Sequence, residues 1–229
     1  IKTNYWGYRT MQIIEDLWQV GGAGFTSEED AAIFLIRYGN EAAVIDAGCG
    51  GAHQKLVDNI NAVLPVRVNI TYLLLTHCHF DHTGGAEAVR AQYGCRIAAH
   101  SLDAVYLQDG NSEVTAASWY GAQMPRLAVD EIYSDAHRVF EVGGEKITAR
   151  HCPGHTPGSV VYVAELQSQR ILFGQDIHGP LHASFLSNQA DYLQSLENLL
   201  ELKADILCEG HFGVFRGKDQ VDKFIRQYL

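Results

Sequence analysis

Basic side chains are scarce in this chain of 229 residues. Lysine and arginine together number 17, against 27 aspartates and glutamates, which gives a formal net charge of −10. No run of Lys or Arg forms a basic footprint, so the sequence predicts no binding to nucleic acid or to an anionic membrane. With 47% hydrophobic and 19% charged residues, the composition is that of a globular protein.

Cysteine is also sparse, and its spacing does not suggest a disulfide framework. The chain has an odd number of cysteines without CxxC spacing: Cys49, Cys78, Cys95, Cys152 and Cys208. This pattern argues against paired disulfides and against a structural zinc knuckle. We expect free thiols in a reducing, cytoplasmic environment.

Long apolar runs are missing as well. The longest, such as 31–36 and 72–75, fall far short of the ~20 residues that cross a bilayer. No signal-like segment, with a charged start and an apolar centre, opens the sequence. We therefore expect no membrane-spanning segment.

The length predicts a single domain over residues 1–229. Met11 could be the native start, in which case residues 1–10 would be an extension. The aromatic residues in that segment could pack on this chain or on a partner chain, which leaves a homo-oligomer open; they are Tyr5, Trp6 and Tyr8.

Strand-like and helix-like segments follow one another in two similar halves. Residues rich in β-propensity, bounded by turn residues, predict strands at 12–19, 31–38, 41–46, 69–75, 96–100, 137–142, 146–151, 159–164, 170–174 and 206–208. Apolar residues at helical spacing predict helices at 52–63, 86–93, 102–108, 189–202 and 218–228. Two such halves favour an α/β (α+β) fold with sheet stacked on sheet and helices outside. Residues 109–130 have no clear period, and two interpretations are open: an insertion that covers a pocket, or a loop that only packs on the surface.

The densest chemical signal is a cluster of polar residues directly after the strand at 69–75. His77, His79, Asp81 and His82 lie within six residues, between that strand and the helix at 86–93. Packing does not explain such a cluster, because buried imidazoles need partners and exposed ones gain nothing from clustering. Imidazole and carboxylate are the usual ligands of zinc and related ions, so the cluster predicts a metal site.

Three further candidate ligands stand just past the ends of other predicted strands. His155 lies in the turn-rich segment 152–159, Asp176 follows the strand at 170–174, and His211 follows the strand at 206–208. Loops that leave one edge of a sheet can aim their side chains at a common point. We therefore expect these residues to complete the site that the first cluster begins.

The motifs, taken in order, resemble the metallo-β-lactamase fold superfamily. The HxHxDH run, the PGHTPGS loop, the Asp after a strand and the late Gly-His pair match that family from about residue 12 to 229. The resemblance implies an αβ/βα four-layer sandwich of two mixed sheets flanked by helices, with two metal ions at one edge. Asp46, after the strand at 41–46, resembles the family residue that supports the metal loop from behind, although a turn-capping carboxylate is the alternative.

The resemblance also implies a ligand set. One ion would be held by His77, His79 and His155, the other by Asp81, His82 and His211, and Asp176 would bridge the two. Zinc is the expected metal, but the same ligands suit iron, manganese or cobalt.

Hydrolysis is the chemistry that such a centre would perform. Two divalent cations lower the pKa of a shared water toward ~7, so that hydroxide is available at neutral pH to attack an acyl carbonyl. Asp81 could orient that nucleophile and later pass its proton to the leaving group. We therefore expect a metal-dependent hydrolase whose partner is a small-molecule substrate, in which it cleaves a thioester, lactone or related ester.

The branch within the superfamily is less defined by the sequence. Glyoxalase II-type thioesterases add a C-terminal glutathione-binding region, and this chain ends soon after His211. Acyl-homoserine lactonases share the Phe before Asp81 but have a Tyr where Gly179 stands here. Two other classes are kept as alternatives: a mononuclear iron sulfur dioxygenase, which would not need His211, and a non-catalytic metal-binding protein.

Other notable residues are given lesser roles. His178 and His182 could touch substrate, with exposed loop histidines as the alternative. Cys78 is expected to pack between its neighbours, and Phe80 could line the pocket or belong to the core. The remaining histidines match no ligand position and are expected to be structural: His53, His100, His137 and His151.

Overall fold

The computed structural model describes the backbone of Lys2 and Thr3 and the whole of residues 9–229. The aromatic residues Tyr5, Trp6 and Tyr8, for which packing on this chain or a partner is predicted, lie outside the described residues. Among the helices of the described part, none has the length and apolar character needed to traverse a bilayer.

The first half of the chain forms an eight-stranded mixed sheet. Its strands lie in chain order: β1 (Lys2–Thr3), β2 (Arg9–Ile14), β3 (Leu17–Gly21), β4 (Ile33–Tyr38), β5 (Glu41–Ile45), β6 (Asn69–Leu74), β7 (Arg96–His100) and β8 (Glu131–Tyr133). The pairs from β1 to β5 are antiparallel. Strands β5 to β8 are parallel, so the crossovers between them pass outside the sheet.

The second half forms a six-stranded sheet. Its strands are β9 (His137–Val142), β10 (Glu145–His151), β11 (Val160–Leu166), β12 (Gln169–Phe173), β13 (Ile206–Glu209) and β14 (Gly213–Arg216). They lie in the order β14-β13-β12-β11-β10-β9, and only β12 and β13 are parallel among the described neighbours.

Helices cover the outer faces of both sheets. They are α1 (His53–Val63), α2 (Phe80–Thr83), α3 (Ala86–Tyr93), α4 (Ser101–Asp109), α5 (Gln189–Glu201) and α6 (Lys218–Ile225). Short 3₁₀ turns occupy Ala117–Tyr120, Ala183–Phe185 and Arg226–Tyr228.

The alternation of side chains along the strands builds three apolar layers. In β12, Ile171 and Phe173 lie in the core between the two sheets, whereas Leu172 lies in the core under α5 and α6. Strand residues alternate between faces, so a strand covered on both sides must be apolar throughout. A third layer separates the first sheet from α1 and α3 and contains Leu56 and Val89. The expected four-layer fold of two mixed sheets flanked by helices is confirmed.

One strand prediction is wrong, and several short elements were not predicted. Residues 12–19 form parts of two antiparallel strands, because the chain turns between Ile14 and Leu17. Asp16 adopts a left-handed φ of 66°, and its carboxylate accepts a 2.7 Å hydrogen bond from Arg37 Nε. Strands β8 and β14 and helix α2 have only three or four residues each, too few to show a period.

Candidate metal centre

The site lies where loops leave the carboxyl ends of several strands. His77 and His79 follow β6, His155 follows β10, Asp176 follows β12 and His211 follows β13. Asp81 and His82 lie in the single turn of α2, which begins directly after His79. The structure thus brings all seven predicted ligands to one edge of the sandwich, in two groups.

The first group is a buried set of imidazoles with one carboxylate. His77, His79, His155 and Asp176 each offer one ligand atom within 4.8 Å of the others. Their relative exposure is between 0 and 4%. His155 Nδ1 is 3.0 Å from the carbonyl oxygen of Pro180, to which it can donate, so that Nε2 faces the group with a lone pair.

The second group mixes imidazoles and carboxylates. Asp81, His82 and His211 also offer ligand atoms within 4.8 Å of one another. Asp176 stands between the two groups, with Oδ2 3.5 Å from His155 Nε2. Its other oxygen, Oδ1, is 3.1 Å from His82 Nε2 and 3.3 Å from His211 Nε2. Each oxygen of Asp176 therefore faces one group.

The ring nitrogens of the first group are arranged for binding a cation rather than for hydrogen bonding to one another. Nε2 of His77 and Nε2 of His79 are buried and have no hydrogen-bond partner among the described residues. His79 Nδ1 lies only 3.0 Å from His155 Nε2, although His155 can direct its own proton to Pro180. Unpaired buried nitrogens cost about 1–3 kcal/mol each, a cost that coordination to a metal ion would remove.

Asp46 holds two of the imidazoles from behind. Its Oδ2 is 2.7 Å from His82 Nδ1 and accepts a 2.8 Å hydrogen bond from Thr76 Oγ1, which lies 3.1 Å from His77 Nδ1. Both histidines can thus donate from Nδ1 and keep Nε2 free as a ligand atom. Asp46 has a left-handed φ of 62°, a conformation that is costly outside glycine and tends to persist at functional sites.

Asp103 was not singled out from the sequence, yet it ties the two ligand loops together. This buried carboxylate in α4 accepts hydrogen bonds from Cys78 N at 2.8 Å, Thr156 Oγ1 at 2.7 Å and Gly158 N at 2.7 Å. Burial raises the pKa of Asp103, and the hydrogen bonds oppose that shift. The signal that could have found it is its place three residues past the end of β7, the same offset that His77 has from β6.

Glu209 is a second residue that the sequence did not reveal. It is fully buried, and its Oε2 accepts 2.7 Å hydrogen bonds from the backbone nitrogens of His211 and Phe212. Its Oε1 lies 2.9 Å from His178 Nδ1. Glu209 therefore positions His211 through the backbone and His178 through its ring.

The histidines of the two groups differ in their charge. Burial, reinforced by the neighbouring imidazoles, lowers the pKa of His77 and His79 well below the usual value. Burial opposes the charged form of His82 and His211 as well, but nearby carboxylates outweigh it. Asp176 and its neighbours raise the pKa of His82 well above the usual value and that of His211 to about 10. The imidazoles of His77 and His79 are therefore neutral, whereas those of His82 and His211 favour the protonated, positively charged form.

A pocket of about 140 Å³ opens onto both groups. Its outer wall is aromatic: Trp119 and Tyr120 come from the segment 109–130, and Phe185 comes from the 3₁₀ turn after Asp176. His178 lines the pocket as well. His182 is an exposed loop residue that contacts Trp119, Cys78 is buried, and Phe80 packs against the core and lies 5.8 Å from the Tyr120 ring.

Comparison with known proteins agrees with the fold and the motifs. The family model of the metallo-beta-lactamase superfamily matches residues 27–211. The chain is 28% identical, over 90% of its length and 80% of the relative, to acyl-coenzyme A thioesterase MBLAC2 of Gallus gallus.

Two solved structures show the same architecture. A motif mutant of a metallo-beta-lactamase from Cronobacter sakazakii superposes with a TM-score of 0.80 at 21% identity, over 96% of this chain and 93% of that one. The class B3 di-zinc metallo-beta-lactamase LRA-12 from an Alaskan soil metagenome gives a TM-score of 0.74 at 25% identity, over 89% and 78%. The chain belongs to the metallo-beta-lactamase superfamily, as its motifs predict.

Proposed function

We propose that this protein is a hydrolase dependent on two divalent metal ions, most suitably zinc, that cleaves the acyl bond of a thioester. The observation that carries the proposal is the position of Asp176, with one oxygen toward each ligand group. Such a shared carboxylate suits a pair of ions rather than one. The similarity to an acyl-coenzyme A thioesterase and to a di-zinc enzyme supports both parts of the proposal.

The proposed ligand assignment follows the two groups. His77, His79 and His155 would hold one ion, Asp81, His82 and His211 the other, and Asp176 both. When bound, the ions would supply a nucleophile at neutral pH by lowering the pKa of water, and would polarise the acyl carbonyl.

The protein's own residues would orient the reactants around that centre. Asp81 Oδ2 lies 3.2 Å from His211 Nε2, at the edge of the pocket. From there its carboxylate would take a proton from the attacking water as the new C–O bond forms, and would pass that proton to the sulfur as the C–S bond breaks. Trp119, Tyr120 and Phe185 would shield the acyl group from water.

The aromatic wall favours an apolar acyl chain over a charged one. Trp119 is 55% exposed, and its ring lies 4.6 Å from that of Phe185, which in turn lies 4.3 Å from that of His79. An acyl chain that packs along these rings would bury apolar surface, and each Å² buried would add about 25 cal/mol to the binding free energy. The same proposal includes a reducing, cytoplasmic environment, because the five cysteines are free thiols.

Metal content and a substrate panel test the proposal together. We expect about two zinc ions per chain and turnover of apolar acyl thioesters in preference to lactones, β-lactams and phosphodiesters. Trp119→Ala should raise KM for a long acyl chain by about 3- to 10-fold, since about 1 kcal/mol of burial is lost, with little change for an acetyl thioester. If the protein instead contained one iron ion per chain and consumed oxygen, the proposal would be wrong and the protein would be a sulfur dioxygenase. Bound metal without turnover of any substrate would replace it with a non-catalytic role.

A further inference from the structure

A second cavity lies behind the second sheet, away from the metal centre. Its volume is about 340 Å³, and none of its lining residues lines the pocket above the ligand groups. One wall comes from β9 to β12 and the other from α5, where Ser195, Asn198 and Leu199 face it. This volume lies within the range of small-ligand sites in proteins.

Arg150 gives the cavity an unmatched positive charge. Its Nε is buried and has no hydrogen-bond partner among the described residues. Arg150 also takes part in none of the ion pairs that the described residues form. Arg170, which also lines the cavity, donates from Nε to Glu165 at 2.7 Å and from Nη1 to the carbonyl oxygen of Leu202 at 2.8 Å. The chain thus satisfies one of the two guanidinium groups and leaves the other without a carboxylate.

The remaining walls limit the kind of anion that would fit. Val161, Leu199 and Leu202 are buried apolar residues that line the cavity, and they suit a hydrocarbon portion. Glu201 stands at its rim and would repel an anion of higher charge. His137 and His151 complete the polar side.

We propose that this cavity binds a small monocarboxylate with a short hydrocarbon tail. Arg150 would receive the carboxylate, because the planar guanidinium group carries a fixed positive charge and presents parallel N–H donors that match the two carboxylate oxygens. The tail would lie on Val161, Leu199 and Leu202. The proposal stands on the cavity alone and does not require the hydrolytic function.

Calorimetric titration of the metal-loaded protein with hexanoate tests the proposal. We expect saturable binding of one hexanoate per chain, weakened at least tenfold by Arg150→Gln and several-fold by Arg150→Lys, which keeps the charge but loses the fork. Arg138→Gln, which removes an arginine that does not line the cavity, should leave the affinity unchanged. Hexanol should bind more weakly than hexanoate, because it cannot pair with Arg150, and hexyl phosphate more weakly because of Glu201.

The outcomes separate this site from the metal centre. Hexanoate bound to the metal ions would be insensitive to Arg150→Gln and would inhibit hydrolysis competitively, and that result would overturn the proposal. Absence of saturable binding, or tighter binding of hexyl phosphate, would overturn it too. Arg150→Gln and Arg150→Lys should both retain thioester turnover, so a failure of the proposed function is recorded independently of hexanoate binding.

Discussion

The two ligand groups of the candidate centre are built by different physical means. His77, His79 and His155 are buried, and burial lowers their pKa so that the neutral imidazole is favoured. In the other group, His82 and His211 keep their protons because carboxylates surround them, and the side chain of His211 is 31% exposed. The first group is a preformed set of neutral ligands, whereas the second exists without metal as an ion-pair cluster. Filling the second group therefore requires an exchange of protons for a cation.

The largest effect is expected at Asp176, where the two groups meet. Asp176→Asn removes one negative charge from both groups while keeping the size of the side chain, so both should bind metal more weakly. We expect a loss of hydrolysis of about 10³-fold or more and less than one tightly bound zinc per chain. Metal analysis after gel filtration and steady-state kinetics measure the two quantities. Retention of two zinc ions with full activity would contradict the bridging role.

A pair of single substitutions separates the two groups. His77→Ala removes a ligand from the neutral group and should lower hydrolysis by about 10³-fold, because that group is the buried, preformed one. His211→Ala affects the exposed member of the other group, so we expect a loss of about 10²-fold and about one zinc retained per chain. Equal losses in metal and rate from both variants would show that the groups are not distinct. Phe212→Ala, at an exposed neighbour of His211, serves as the control with unchanged metal content.

A smaller effect is expected from the carboxylate behind the ligands. Asp46→Asn keeps the shape of the side chain but no longer fixes Nδ1 of His82 or, through Thr76, that of His77 as donors. We expect a loss of about 10- to 100-fold in zinc affinity, the usual consequence of removing such a support. Competition with a fluorescent chelator measures it. Unchanged affinity together with a lower melting temperature would assign Asp46 a structural role only.

The seven candidate ligand positions could be proposed from the sequence because they belong to short motifs that come soon after strands, and the structure brings these residues together. Asp103 and Glu209 were missed, because a single acidic residue carries no motif. The offset of Asp103 from β7 was its one sequence signal, and Glu209 accepts from nearby backbone nitrogens, which every residue but proline has. Asp103 bonds to Thr156 and Gly158, more than 50 residues later. These long-range hydrogen bonds are set by the packing of α4 against the loop after β10, which no local pattern records.

The fold was predictable at the level of layers and less so at its edges. Apolar strands such as β12 identify themselves because both of their faces are buried. The turn at Asp16 was missed because Ile14 and Leu17 on either side continue the apolar pattern of one long strand. Predicted features that the structure does not test, among them the single-domain organisation and the homo-oligomer, stay predictions.

The smallest expected effect is a difference between the two groups in how their metal affinity depends on pH. The pKa of His211 is raised to about 10, so this residue holds a proton at neutral pH that a second cation must displace. Affinity at the second group should therefore rise about tenfold per pH unit from pH 7 toward 9, for each proton displaced. His77 and His79, whose pKa values are lowered, are neutral over this range and release no proton when a cation binds, so affinity at the first group should stay nearly constant. Zinc titrations of the metal-free protein in buffers of different ionisation enthalpy count the protons. Equal proton release at both steps would mean that the carboxylates do not control the second group.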